Sequence, residues 1–309
     1  MIVVFGSINL DLVARVARLP QEGETMAGTS FAALPGGKGA NQALAARRAG
    51  SQVAMAGAVG TDAFAATAMR ELVAAGVDVQ WVRRVDAHTG VALIHVDSAG
   101  RNAITIVAGA NAAADPAVVS DNRLGAGTTV VLQLEVPMEA VASIAARAKR
   151  RGARVLLNAA PAQSLSVDLL ATLDVLLVNE LEAASIASMH AMPAEPEDFA
   201  AAFHRRYACA VVVTLGAAGA VAAVDRELLT VAAPQVEVVD TTGAGDALVG
   251  ALAAALDREE DWIQALAEGI AAGSLACTVA GAQAALPDHA AIAPLAASVR
   301  SGVRRRSLG

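Results

Sequence analysis

Short apolar runs alternate along this chain with alanine-rich amphipathic segments, the pattern of strands laid between helices. The first run is Ile2 to Phe5, and Val53–Val59, Thr129–Leu134, Arg154–Leu157, Val175–Val178 and Ala210–Thr214 follow. Each is nearly continuous in apolar residues, which suits parallel strands covered on both faces. From Asp115 onward the alternation reads as regular, with a helix between successive strands. Two stretches depart from it. Between Val13 and Leu34 short extended pieces are broken by Pro20 and Gly23, and Gly90–Val96 and Asn102–Val107 flank the turn cluster Asp97-Ser98-Ala99-Gly100, which predicts a hairpin. The expectation is one doubly wound, mostly parallel α/β domain over residues 1–309. Residues 12–34 and 89–108 would form a small β-sheet lid over its strand ends.

Polar residues gather just beyond these runs. Gly6-Ser7-Ile8-Asn9-Leu10-Asp11 follows the first, Gln133 and Glu135 close another, and Asn158, Asn179-Glu180-Leu181-Glu182 and Thr214-Leu215-Gly216 end three more. Open α/β sheets bind ligands at the carboxyl ends of their strands. A single carboxylate there is commonly a helix cap, but several polar ends on one rim favour a cleft.

Two glycine-rich stretches could supply an anion site. Leu34-Pro35-Gly36-Gly37-Lys38-Gly39-Ala40-Asn41 leads into a helix through Ala49 that stops at Gly50. It lacks the spacing of a Walker A loop. Asp240-Thr241-Thr242-Gly243-Ala244-Gly245-Asp246 leads into a segment with Leu248, Leu252, Ala255 and Leu256 at helical spacing. Gly243 to Asp246 should therefore sit at a helix N-terminus, where unpaired N–H groups and the dipole favour an anion. On residues alone, Asp246 reads equally as a helix-end charge or as a base aimed at whatever attacks that anion.

Composition narrows the class. Hydrophobic residues make up 55% of the 309, aromatic ones only 3%, so the core must be built from Ala, Val and Leu. With 23 basic and 30 acidic residues the net charge is −7, which offers no broad surface to a nucleic-acid backbone. Cys209 and Cys277 are too few for a disulfide framework and suit a reducing cytoplasm. No signal peptide or membrane span is expected: Met1 to Phe5 reads as a strand, and the apolar stretches 209–224 and 269–286 are interrupted by polar residues. Arg304-Arg305-Arg306 reads as a solvated tail.

Taken together, Pro35 to Asn41 and Asp240 to Asp246 resemble the ribokinase-type (PfkB) carbohydrate kinase family. The likeness extends through Gly6–Asp11, Ala108-Gly109-Ala110-Asn111, Gln133-Leu134-Glu135, Asn158-Ala159-Ala160-Pro161-Ala162, Asn179–Glu182 and Thr214–Gly216. The resemblance implies transfer of a phosphoryl group from ATP to the primary hydroxyl of a sugar, with D-ribose favoured over another small sugar or a nucleoside. It places the catalytic base on Asp246 and the anion hole on the backbone of Gly243, Ala244 and Gly245. Sugar contacts fall on Asn9, Asp11, Gly37, Lys38, Asn41 and Glu135. The nucleotide side falls on Asn179, Glu182, Thr214, Gly216, Gly219 and Gly245, with Glu182 acting on Mg2+ through water. A potassium site, mostly of backbone oxygens, would use Asp240, Thr242, Ala276, Val279, Gly281 and Ala285. Ala285 stands where the family often has serine, and Ile270 where a relative has a polar residue near adenine. A homodimer through the lids is implied by apolar strand faces that need covering. A non-catalytic sugar-binding regulator is the reading from another class, disfavoured by the intact Asp246; a dehydrogenase lacks its Gly-x-Gly-x-x-Gly after the first strand.

Overall fold

The computed structural model describes residues 1–308. In chain order the strands are β1 (Ile2–Phe5), β2 (Asn9–Arg15), β3 (Ser30–Gly36), β4 (Val53–Gly60), β5 (Asp78–Val85), β6 (Gly90–Val96), β7 (Asn102–Val107), β8 (Thr129–Leu132), β9 (Arg154–Asn158), β10 (Val175–Asn179), β11 (Ala210–Thr214), β12 (Ala220–Val224), β13 (Glu227–Val231) and β14 (Arg304–Ser307). The helices are α1 (Lys38–Arg48), α2 (Phe64–Ala74), α3 (Met138–Arg151), α4 (Val167–Leu170), α5 (Glu180–His190), α6 (Pro196–Tyr207), α7 (Ala244–Asp257), α8 (Trp262–Ala276), α9 (Ala282–Ala285) and α10 (His289–Ser301).

Ten strands form the main sheet in the order β14-β13-β12-β11-β10-β9-β8-β1-β4-β5. The seven from β5 to β11 run parallel, and β12, β13 and β14 are antiparallel. Period-two alternation divides the core: Ile2 and Val4 of β1 face one layer, Val3 and Phe5 the other. The first layer is closed by α1, α2, α7, α8 and α10, the second by α3 to α6. The chain moves from β1 to β4 and β5 on one side, then returns to place β8 on the other. This reversal opens a crevice at the carboxyl ends of β1 and β8.

The second sheet has the order β3-β2-β6-β7, with β6 and β7 joined through the Asp97–Gly100 turn. Its strand β2 begins at buried Asn9, four residues after β1 ends, so the small sheet rises directly from the crevice.

Two expectations needed correction. Regular βα alternation stops at β11, because β11 to β14 are successive antiparallel neighbours in the sheet. The Arg304-Arg305-Arg306 tail is the edge strand β14, paired with β13, though its side chains remain exposed. Beyond α8 the chain turns at Gly281 into the short helix α9. Among the described residues, no helix is long and apolar enough to cross a membrane. Cys209 is buried, Cys277 is half-buried, and both are unpaired.

Candidate active site

Small residues bring the two glycine-rich stretches together. Helices α1 and α7 pack closely, and a Cβ on Gly250 would collide with that of Ala45. This approach carries Asn41 and Gln42, in the second turn of α1, onto the first turn of α7. Gly243 is the N-cap of α7 in the left-handed region, and Asp246 lies in its first turn, 6% exposed. Asn41 donates from Nδ2 to Asp246 Oδ2 at 2.9 Å, and Gln42 from Nε2 to Asp246 Oδ1 at 2.8 Å. Both carboxylate oxygens are thereby held in charge-assisted bonds.

At the carboxyl end of β1 and β8, Glu135 accepts from the Ser7 hydroxyl at 2.5 Å and from the Lys38 N–H at 3.1 Å, both at Oε2. Gly37 makes this possible. Its φ of 89° suits glycine, and any Cβ there would lie 2.7 Å from the Asn9 nitrogen. Asn9 is oriented in turn by Asn111, whose Nδ2 donates to Asn9 Oδ1 at 2.7 Å while its Oδ1 accepts from the Ile8 N–H at 2.9 Å. Asp11, next but one along β2, meets the charges of Glu135 and Asp246. Burial first, and then those two carboxylates, raise its pKa to about 7. Lys38 faces the same group of acids. Asp246 above all holds its ammonium in the charged form, against the opposing effect of burial.

A cavity of about 230 Å3 opens beside Asp246 and continues to Asn179, Glu182, Thr214 and Gly243. A Cβ on Gly245 would meet no protein atom within 4 Å, so packing does not require glycine there. The space it leaves belongs to the cavity. The Ala244 N–H turns back to the Thr241 carbonyl at 3.3 Å, whereas Gly245 and Asp246 line the opening. Asn179 and Glu182 cap α5 reciprocally, at 2.8 and 2.9 Å, which commits Glu182 Oε2 and leaves Oε1 without a bond from the cap. Desolvation raises the pKa of Glu182 despite the backbone N–H of Asn179 and the charge of Lys38. Gly216 to Ala218 form an exposed turn after β11, which the Leu215 N–H closes on the Gly219 carbonyl at 2.8 Å. A larger hollow of about 410 Å3 lies at the opposite, amino-terminal ends of β8 and β9. There Lys149 pairs with Asp174 and the terminal amine with Asp257, so its charges are already engaged.

The stretch before α7 is tied to the one after α8. Asp240 Oδ1 accepts from the Thr242 N–H and hydroxyl, and Oδ2 from the Gly281 N–H at 2.9 Å. Asp240 and Val239 also donate their own N–H groups to the Cys277 carbonyl. Ala276 is buried, Val279 exposed, and Ala285 ends α9 with only a methyl group for a side chain. No cluster of three His, Cys, Asp or Glu side chains able to hold a metal occurs among the described residues. Ile270 is buried in the core on α8, within the layer that contains Leu248 and Leu266.

Of the residues singled out from the sequence, Lys38, Asn179, Glu182, Thr214, Gly243, Gly245 and Asp246 line the cavity together; Ser7, Gln42 and Asn111, not singled out as supports, hold their neighbours in place. Their signal was present in the motifs around them; their contacts were not.

A crevice at the sheet's reversal point, a helix N-terminus facing a cavity and a held carboxylate in that helix's first turn define a phosphotransferase-like site. The model of the pfkB family of carbohydrate kinases matches residues 1–289, and the chain belongs to that family. It acts as a phosphotransferase with an alcohol group as acceptor. Among curated relatives, ribokinase of Haemophilus influenzae is 34% identical over 93% of this chain and 95% of its own length. Ribokinase of Schizosaccharomyces pombe is 39% identical over 81% and 83%. The structure of ribokinase from Arabidopsis thaliana complexed with ribose and ATP superposes with a TM-score of 0.86 at 33% identity, covering 96% of this chain and 98% of that one.

Proposed function

We propose that the protein phosphorylates the primary hydroxyl of D-ribose from ATP, giving D-ribose 5-phosphate. The observation that carries this reading is the Asp246 carboxylate, buried at the N-terminus of α7, held on both oxygens and opening onto the cavity. Asn9, Asp11, Gly37, Lys38, Asn41 and Glu135 would bind the sugar, since amides and carboxylates can each engage vicinal hydroxyls. The nucleotide would lie along Asn179, Thr214 and the turn from Gly216 to Gly219, with its phosphates toward Lys38. The backbone of Gly243, Ala244 and Gly245 would receive charge developing on the transferred group, and Asp246 would orient the hydroxyl and accept its proton. The uncommitted oxygen of Glu182 suits a water-mediated hold on Mg2+, which neutralises phosphate charge when bound.

A potassium ion would be held by carbonyls of Asp240, Thr242, Ala276, Val279, Gly281 and Ala285. The direct bond from Gly281 to Asp240 supports this by tying the two loops together. The small sheet is proposed as a lid, and Phe31, Leu93, Ile104 and Ile106 on it are exposed large apolar groups. A second copy of the chain would cover them, making a homodimer; a monomer in sedimentation at micromolar concentration would count against it. Unpaired cysteines fit a cytoplasmic location.

A coupled assay for ADP over ribose, deoxyribose, fructose and adenosine tests the substrate. Highest kcat/KM on ribose is expected. Deoxyribokinase of Salmonella typhi is also 34% identical, and a preference for deoxyribose would move the assignment to that sugar. Fastest turnover on adenosine would overturn it.

A further inference from the structure

Asp246 sits at the middle of a chain of buried amides. On one side Gln133 Nε2 donates to Gln42 Oε1 at 2.6 Å, and Gln42 Nε2 serves both Asn158 Oδ1 at 3.0 Å and Asp246 Oδ1. On the other side Gln283 Nε2 donates to Asn41 Oδ1 at 3.1 Å, and Asn41 Nδ2 serves Asp246 Oδ2. The two arms are alike. Each inner amide donates to the carboxylate, and each has its carbonyl end held by an outer glutamine. Gln42 and Gln133 are fully buried, Gln283 is 2% exposed, and among the described residues the outer oxygens Gln133 Oε1 and Gln283 Oε1 have no hydrogen-bond partner. An orphaned buried acceptor is destabilising, so stability alone does not favour glutamine at either place.

We infer that Gln133 and Gln283 are positioning residues for phosphoryl transfer, acting on Asp246 through Gln42 and Asn41. A carboxylate held at both oxygens by fixed donors has its remaining lone pairs aimed in one direction, which here is the cavity. Loosening either donor lets the carboxylate turn and misaligns it with the incoming hydroxyl, where an error of about 1 Å can cost a hundredfold in rate. Gln133 thereby gains a task that the proposed reaction otherwise leaves it without. The inference rests on Asp246 being the base.

The test uses the full chain with Gln133→Met and Gln283→Met, singly. Methionine keeps the length and volume of glutamine but cannot donate. In each variant one orphan oxygen disappears while another, on Gln42 or Asn41, takes its place, so the melting temperature should stay close to the parent's. The expected result is a fall in kcat of about tenfold or more, with KM for sugar and for ATP within about twofold. A kcat within about twofold of the parent in both variants would overturn the inference. So would a kcat loss that arrives with a matching rise in sugar KM and a lower melting temperature, the signature of a structural role. Asp246→Asn is measured beside them. Full turnover in that variant refutes the base itself, whereas its failure alongside two active glutamine variants refutes only the positioning.

Discussion

Proton uptake at Asp11 should set the pH dependence of sugar binding. Its carboxyl is half-buried and faces Glu135 and Asp246, with Lys38 across the same cleft, and its pKa is raised from 3.8 to about 7. In the unliganded protein roughly a tenth of Asp11 is ionised at pH 6, half at pH 7 and nine-tenths at pH 8. A sugar hydroxyl donates well to the ionised form and poorly to the protonated one, so binding should expel the proton. Titration calorimetry without nucleotide would show a Kd that weakens below pH 7, approaching tenfold per unit. At pH 6 the measured heat should vary with the buffer's ionisation enthalpy, corresponding to about 0.9 proton released per sugar. The sign for folding is the reverse of the usual carboxylate. Because the folded pKa lies above the unfolded one, this group's stabilising contribution is complete below about pH 4 and is lost as pH rises through about 7. A Kd that stays flat from pH 6 to 8, or the same slope in Asp11→Asn, would refute the reasoning.

Other variants separate the parts of the site. Asp246→Asn should lower kcat by about 10²–10⁴-fold while calorimetry shows sugar still binding. Gly245→Val should place its side chain in the cavity and suppress turnover without lowering the melting temperature, since a Cβ there meets no protein atom. Glu182→Gln can still accept the Asn179 N–H of the α5 cap, so its melting temperature should hold while the Mg2+ concentration for half-maximal rate rises. Away from the site, Arg258 bonds Glu268 at 2.5 Å and the Ala49 carbonyl. Arg258→Ala leaves the buried Glu268 carboxylate with the Gln264 amide but no cation, and denaturant unfolding should show a loss of about 1–3 kcal/mol.

The buried strands and the hairpin of the small sheet were legible because apolar runs and turn residues are local signals. Gly90–Val96, Asn102–Val107 and Ala210–Thr214 coincide with the observed strands residue for residue. Strand β5 was not legible, since Gln80, Arg83 and Arg84 interrupt its apolar pattern at a sheet edge that buries only part of each residue. The triple arginine of β14 hides a strand for the same reason. In the site, Asp246 and its glycines announce themselves by spacing at a helix start. Gln133 and Gln283 do not: they stand 91 and 242 residues from the amides they hold, and a neutral amide leaves no charge pattern to read.

The two sheets differ in how they treat their outermost strands. The large sheet ends in β5, which carries Asp78, Arg83 and Arg84, and in β14, with its three exposed arginines. Desolvating such charges makes pairing with another strand costly, so both margins repel edge-to-edge stacking. The small sheet ends in β3 and β7, neither of which holds a charged residue, and every residue of β7 is exposed. At high protein concentration, during synthesis or storage, edge pairing between copies therefore costs less at the small sheet than at the large one. A lysine introduced at Ile104 would extend the guarded condition to that margin too.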